Sequence, residues 1–176
     1  MERETWRKDG RTGYFLTDKN RADNELYTTE AAVGKILLEP SFFAHLMSDT
    51  QFICPFDGDD SNIVKVLRRT KSTVLNNIID GQYVLYEDLP DSHFEGRVMV
   101  TNPPFDGKHH ARKLMERVDE AYLVVPHLTA HRIFKGPTPK WCKDYDINLL
   151  SNIYKFHTPS GVDRNVHCAW LHVKKK

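Results

Sequence analysis

The residues best suited to chemistry lie in Thr101-Asn102-Pro103-Pro104-Phe105-Asp106-Gly107. Two consecutive prolines remove two backbone donors and fix two φ angles, and Pro103 also restricts Asn102 to an extended conformation. A stiff segment results, holding an amide side chain, a carbonyl and an aromatic ring in fixed positions. The Asn102 side-chain oxygen and the Pro103 carbonyl can accept both hydrogens of an exocyclic amino group, and Phe105 can stack on the ring that carries it, as an extruded base requires. A rigid turn without chemistry is the plain alternative. Against it, the tetrapeptide leaves the apolar run 97–101 (RVMVT), at the strand end where open α/β sheets bind their ligands.

A second loop, Pro55-Phe56-Asp57-Gly58-Asp59-Asp60-Ser61, follows another apolar run. Its glycine lets backbone approach a ligand closely, and its carboxylates can bind ribose hydroxyls or a cationic amino-acid head. An acidic turn capping a helix would look similar.

Both loops need strands to hold them. Short apolar strands are expected at 51–54, 73–75, 83–86, 97–101 and 121–125. Helices are expected from Thr28 or Thr29 to a stop at Pro40, over 62–69 and over 108–118. Strands at 153–157 and 166–173, turned at 159–161, close the chain as a hairpin. Alternating strands and helices argue for an α/β fold with a doubly wound, mostly parallel sheet, to which the hairpin adds an antiparallel pair. Residues 1–26 read as a polar N-terminal arm and 27–176 as one domain.

Asn-Pro-Pro-Phe after a hydrophobic strand resembles the catalytic motif of the S-adenosylmethionine-dependent amino-methyltransferases, chiefly the DNA adenine-N6 methyltransferases, with the EcoRI-like enzymes as the nearest group. Tyr27-Thr28-Thr29 looks like the family's motif ahead of strand one, which touches the methionine part of the cofactor. Cys54-Pro55-Phe56-Asp57-Gly58-Asp59 is similar to the cofactor loop, and Asp88 stands where the family often uses an acid near the cofactor's adenine. The resemblance covers roughly residues 26–173. It implies a Rossmann-like methyltransferase sheet, Asn102, Pro103, Pro104 and Phe105 as catalytic residues, and Tyr27, Thr28, Pro55, Phe56, Asp57, Gly58, Asn76 and Asp88 around S-adenosylmethionine. The implied reaction is methyl transfer to N6 of adenine in DNA. Alternatives are an RNA or protein-amide acceptor, or a catalytically silent cofactor-binding regulator of a partner protein.

Departures from the pattern are visible. Asp60 stands where the cofactor loop usually has a second glycine. The acid that ends strand two and binds ribose appears as Asn76 or Asn77, which lack charge assistance. No room is expected for a target-recognition domain, so a homodimer or partner subunit could supply the grip on DNA.

Bulk properties fit this reading without demanding it. With 40% apolar and 28% charged residues, no apolar run near the roughly 18 residues of a membrane span and a polar start, a cytoplasmic protein without membrane contact is expected. Three dispersed cysteines favour reduced thiols over disulfides or zinc. His127 and His131 lack a third ligand of suitable spacing, so no metal is expected. The net charge of +1 leaves nucleic-acid attraction to local clusters. Residues 127–143, read as an irregular loop, carry Lys135, Lys140, Trp141 and Lys143 as candidate nucleic-acid contacts. The Lys174–Lys176 tail reads as a solvated end.

Overall fold

The computed structural model describes residues 27–104, 111–134, 139–158 and 163–176. The expected arm, Phe105, Lys135 and the turn at 159–161 lie outside the described residues.

Strand β1 (Tyr27–Thr28) leads into helix α1 (Glu30–Leu37). Thr29 caps it, its hydroxyl accepting from the Ala32 N–H at 3.2 Å, and Ala32, Val33 and Ile36 form its buried stripe. Pro40 does not close this helical region. It opens a second helix, α2 (Pro40–Leu46), at the first position, where a missing N–H costs nothing.

Next come β2 (Phe52–Cys54), α3 (Asn62–Arg69) and β3 (Val74–Asn76). The strand expected at 83–86 is absent. In its place β4 (Ile78–Ile79) and β5 (Gln82–Tyr83) form a separate hairpin, followed by a 3-10 turn at Tyr86–Asp88. Asp80 and Gly81 both adopt positive φ, 52° and 77°, as a tight two-residue hairpin turn requires.

Strand β6 (Val98–Thr101), α4 (Ala111–Met115), β7 (Glu120–Pro126) and α5 (His127–Phe134) continue the alternation. Residues 127–143 are therefore not one irregular loop, because α5 and a 3-10 turn at Lys140–Asp144 occupy most of it. The closing hairpin, β8 (Tyr145–His157) and β9 (Asp163–Lys175), is longer than expected. Lys174 and Lys175 belong to β9 and pair with Glu120 and Asp119, so the basic tail is not a loose end.

The main sheet has seven strands in the order β1-β8-β9-β7-β6-β2-β3. Pairs β3–β2, β2–β6 and β6–β7 are parallel, while β9 is antiparallel to both β7 and β8, and β1 is antiparallel to β8. Both faces are covered. Helices α1, α2 and α3 pack with Phe52, Cys54, Val100 and Trp170 on one side. Helices α4 and α5 pack with Ile53, Met99, Leu123 and Val173 on the other. The expected α/β layering and C-terminal antiparallel hairpin are present. Among the described residues no helix is long and apolar enough to cross a membrane.

One topological feature locates the site. From β2 the chain steps to β3 on one side, then returns to β6 on the other. Helix α3, after β2, and helix α4, after β6, lie on opposite faces. Strand order thus reverses between β2 and β6, the position where open α/β sheets place their ligand crevice.

Candidate active site

The two loops that the sequence singles out meet at that reversal. Asp57 joins them. Its carboxylate accepts from the Ser61 hydroxyl at 2.8 Å, from the Thr101 hydroxyl at 2.7 Å and from the backbone N–H of Asn102. Burial pushes this carboxyl up from 3.8 to about 6, even though the three donors favour its charged form. Ser61 has a second task, accepting from the Ile63 N–H at 3.2 Å as the cap of α3. The first loop is thereby fixed to its helix and to the segment that follows β6.

Asp59 ties the same loop to β3. It accepts from the Asn76 amide at 2.9 Å and from Arg68 at 2.8 Å, and these donors hold it below the usual carboxylate range. Asn76 uses its oxygen to accept from the Ile78 N–H at 3.1 Å. Both ends of that amide are engaged within the protein. Its neighbour Asn77 is fully buried, and neither side-chain atom has a hydrogen-bond partner among the described residues.

On the other flank, the Asn62 amide at the start of α3 donates to the Thr28 carbonyl at 2.9 Å. Strand β1, held at the sheet edge by the pairing of Thr28 with Phe156, is in this way drawn to the loop. Thr28 is buried, and its hydroxyl has no partner among the described residues. Leaving a buried polar atom unpaired costs about 1–3 kcal/mol. Thr28 is joined to the loop through Asn62, and Asn77 directly follows the Asp59 partner Asn76.

Pro55 is buried beneath the loop, and the half-buried Phe56 stacks on Tyr86 with centroids 4.9 Å apart. That contact brings the 3-10 turn carrying Asp88 to the loop, although Asp88 itself is exposed. At Gly58 an added Cβ would meet only the Asp60 carboxylate, at 3.0 Å, so the loop's outer side is open there. Thr101, which ends β6, and Pro103 are buried, Asn102 is half-buried and Pro104 is exposed.

The basic candidates fall elsewhere. Lys140 and Lys143 are exposed on the 3-10 turn that precedes β8, and Trp141 packs edge-on against Tyr145 at 5.6 Å. Tyr145 pairs with Lys175 and Glu120 with Lys174, so this turn adjoins the amino end of β7, away from Asn102. Sequence reasoning also missed a polar cluster at that end. Glu120 accepts from His45 at 2.8 Å, from His172 at 2.7 Å and from Lys174 at 2.9 Å. All three cysteines are free and buried.

The chain is an α/β protein in which two loops meet at a strand-order reversal. No family model matches the chain, and no curated protein matches it.

Proposed function

We propose that the chain is an S-adenosylmethionine-dependent methyltransferase with a Rossmann-like sheet, acting on N6 of adenine in DNA. One observation carries the reading: Asp57 fastens the loop after β2 to the backbone of Asn102 at the reversal point. A cofactor loop and an amine-accepting loop must share one crevice for methyl transfer, and here one buried carboxylate couples them.

The unpaired groups of Thr28 and Asn77 fit a cofactor that carries an amino-acid head and a ribose. Thr28, the 55–58 backbone and Asn77 would hold it, with the Phe56–Tyr86 stack as one apolar wall. Asn77 takes the ribose role more readily than Asn76, whose amide is engaged. When bound, the cofactor supplies an electrophilic methyl group. Asn102 and the Pro103 carbonyl accept the two N–H bonds of the acceptor amine. This favours a pyramidal nitrogen with its lone pair released from the ring, so positioning and electrostatics supply most of the rate gain. The surplus proton leaves the nitrogen after transfer.

Calorimetry with S-adenosylmethionine tests the cofactor half of the proposal. Wild type should bind, and Asn77→Ala should bind about three- to tenfold more weakly, the value of one hydrogen bond. No heat of binding with wild type, or equal affinity in the variant, would count against this site. Methyl transfer offered in parallel to DNA, RNA and protein identifies the acceptor.

A further inference from the structure

The closing hairpin outreaches β7 at the carboxyl end of that strand. Strand β7 stops at Pro126, opposite Cys168, while β8 and β9 stay paired on to His157 and Asp163. Just past that point the ladder is irregular, with register shifting between Ile153 and Lys155. Bulges of this kind re-aim side chains and gather near functional sites. Here the irregular stretch holds Tyr154 and His167, whose rings meet edge to face at 5.2 Å. His127, the first residue of α5, completes a three-ring cluster. Its centroid lies 6.1 Å from His167 and 6.5 Å from Tyr154, and its Nε2 is 2.7 Å from the Asn152 side-chain oxygen.

All three rings are exposed, Tyr154 by 46%. Ordinary packing would bury them, as it buries Ile153 and Cys168 beside them. The surroundings are basic: Lys155 is exposed next to Tyr154, and His131 and Arg132 are exposed one turn along α5. No carboxylate occurs in α5 or in residues 151–158. Strands β9 and β8 stand two and three places from β6, so at about 4.8 Å per strand they lie roughly 10–15 Å across the sheet from it.

We infer that Tyr154, His167 and His127 form a stacking platform for an unpaired base next to the target nucleotide, with Lys155 on the adjoining phosphate. The inference rests on the methyltransferase reading for its choice of ligand. Its logic is that of single-strand binding surfaces, where rings take the bases and cations follow the backbone. The platform also supplies, at the correct end of the sheet, a surface that Lys140 and Lys143 do not.

Fluorescence anisotropy with a labelled, adenine-containing single-stranded oligodeoxynucleotide tests it, without cofactor and across a salt series. Tyr154→Ala should weaken binding about fivefold or more, and Tyr154→Phe should stay within about twofold of wild type. Lys155→Glu should weaken binding and flatten its salt dependence. An abasic strand of equal length should bind wild type and Tyr154→Ala alike. Wild-type affinity in Tyr154→Ala, or no strand binding by wild type, would overturn the platform. Cofactor calorimetry is independent of this readout, so failure of the platform and failure of the methyltransferase reading are distinguishable.

Discussion

Asp57 is the residue on which the two loops depend, and its chemistry sets opposing demands. Sequence reasoning assigned it to the cofactor, whereas its carboxylate is engaged by Ser61, Thr101 and the Asn102 backbone. A carboxyl raised from 3.8 to about 6 binds its proton more tightly folded than unfolded. Its contribution to stability is full below pH 3.8 and is lost as pH rises through about 6. At neutral pH the charged, buried form therefore costs up to about 3 kcal/mol. Asp57→Asn should accordingly melt no lower than wild type at pH 7.5, while turning over at least about tenfold more slowly because Asn102 loses a charged acceptor. Wild-type turnover should fall below about pH 6, and the variant should lack that acid limb. A variant that melts lower and keeps full activity would show that Asp57 only supports the fold.

At the scale of elements, what was legible followed from local chemistry. Thr29 announced α1, and the apolar β-branched run before Asn102 announced β6. Apolar residues at 83–86 resemble a strand, but the Asp80-Gly81 turn directs the chain into a short hairpin instead. Strand β8 was shortened because its first half is polar and half-exposed, stabilised by pairing with β9 more than by burial. The Glu120 cluster had no local signal, since its histidines lie 75 and 52 residues away in sequence. Burial alone would push Glu120 up, but bonds from His172, His45 and Lys174 outweigh it and hold the carboxyl well below the usual range. The stability this gives is present at neutral pH and is lost in acid, as the native carboxylate protonates. Glu120→Gln weakens hydrogen bonds to a charged group and should cost about 1–3 kcal/mol, lowering the melting temperature by roughly 2–12 °C. Cofactor affinity should not change, because the cluster lies at the amino end of β7. An unchanged melting temperature would show that the cluster contributes nothing to the junction of β7, β9 and α2.

Across the whole molecule, the order of strands does what no single motif can. Residues 55–61 and 101–104 are far apart in the chain, yet the reversal between β2 and β6 brings them into contact. Alternation of strands and helices made the α/β class legible, but pairing order, the insertion of β9 beside β7 and the reach of the hairpin depend on long-range contacts. For the same reason the basic residues at 140–143 looked suited to nucleic acid in sequence, though the fold carries them to the other end of the sheet. On the proposed reading, an amine held by Asn102 accepts the methyl group. The most direct test of that reading is transfer of labelled methyl from S-adenosylmethionine to adenine-containing DNA, with N6-methyladenine quantified for wild type and Asn102→Ala. Wild type should form N6-methyladenine, and the variant should lose roughly a hundredfold or more, with cofactor affinity within a few-fold. Equal turnover in Asn102→Ala, or no N6-methyladenine from wild type, would contradict it.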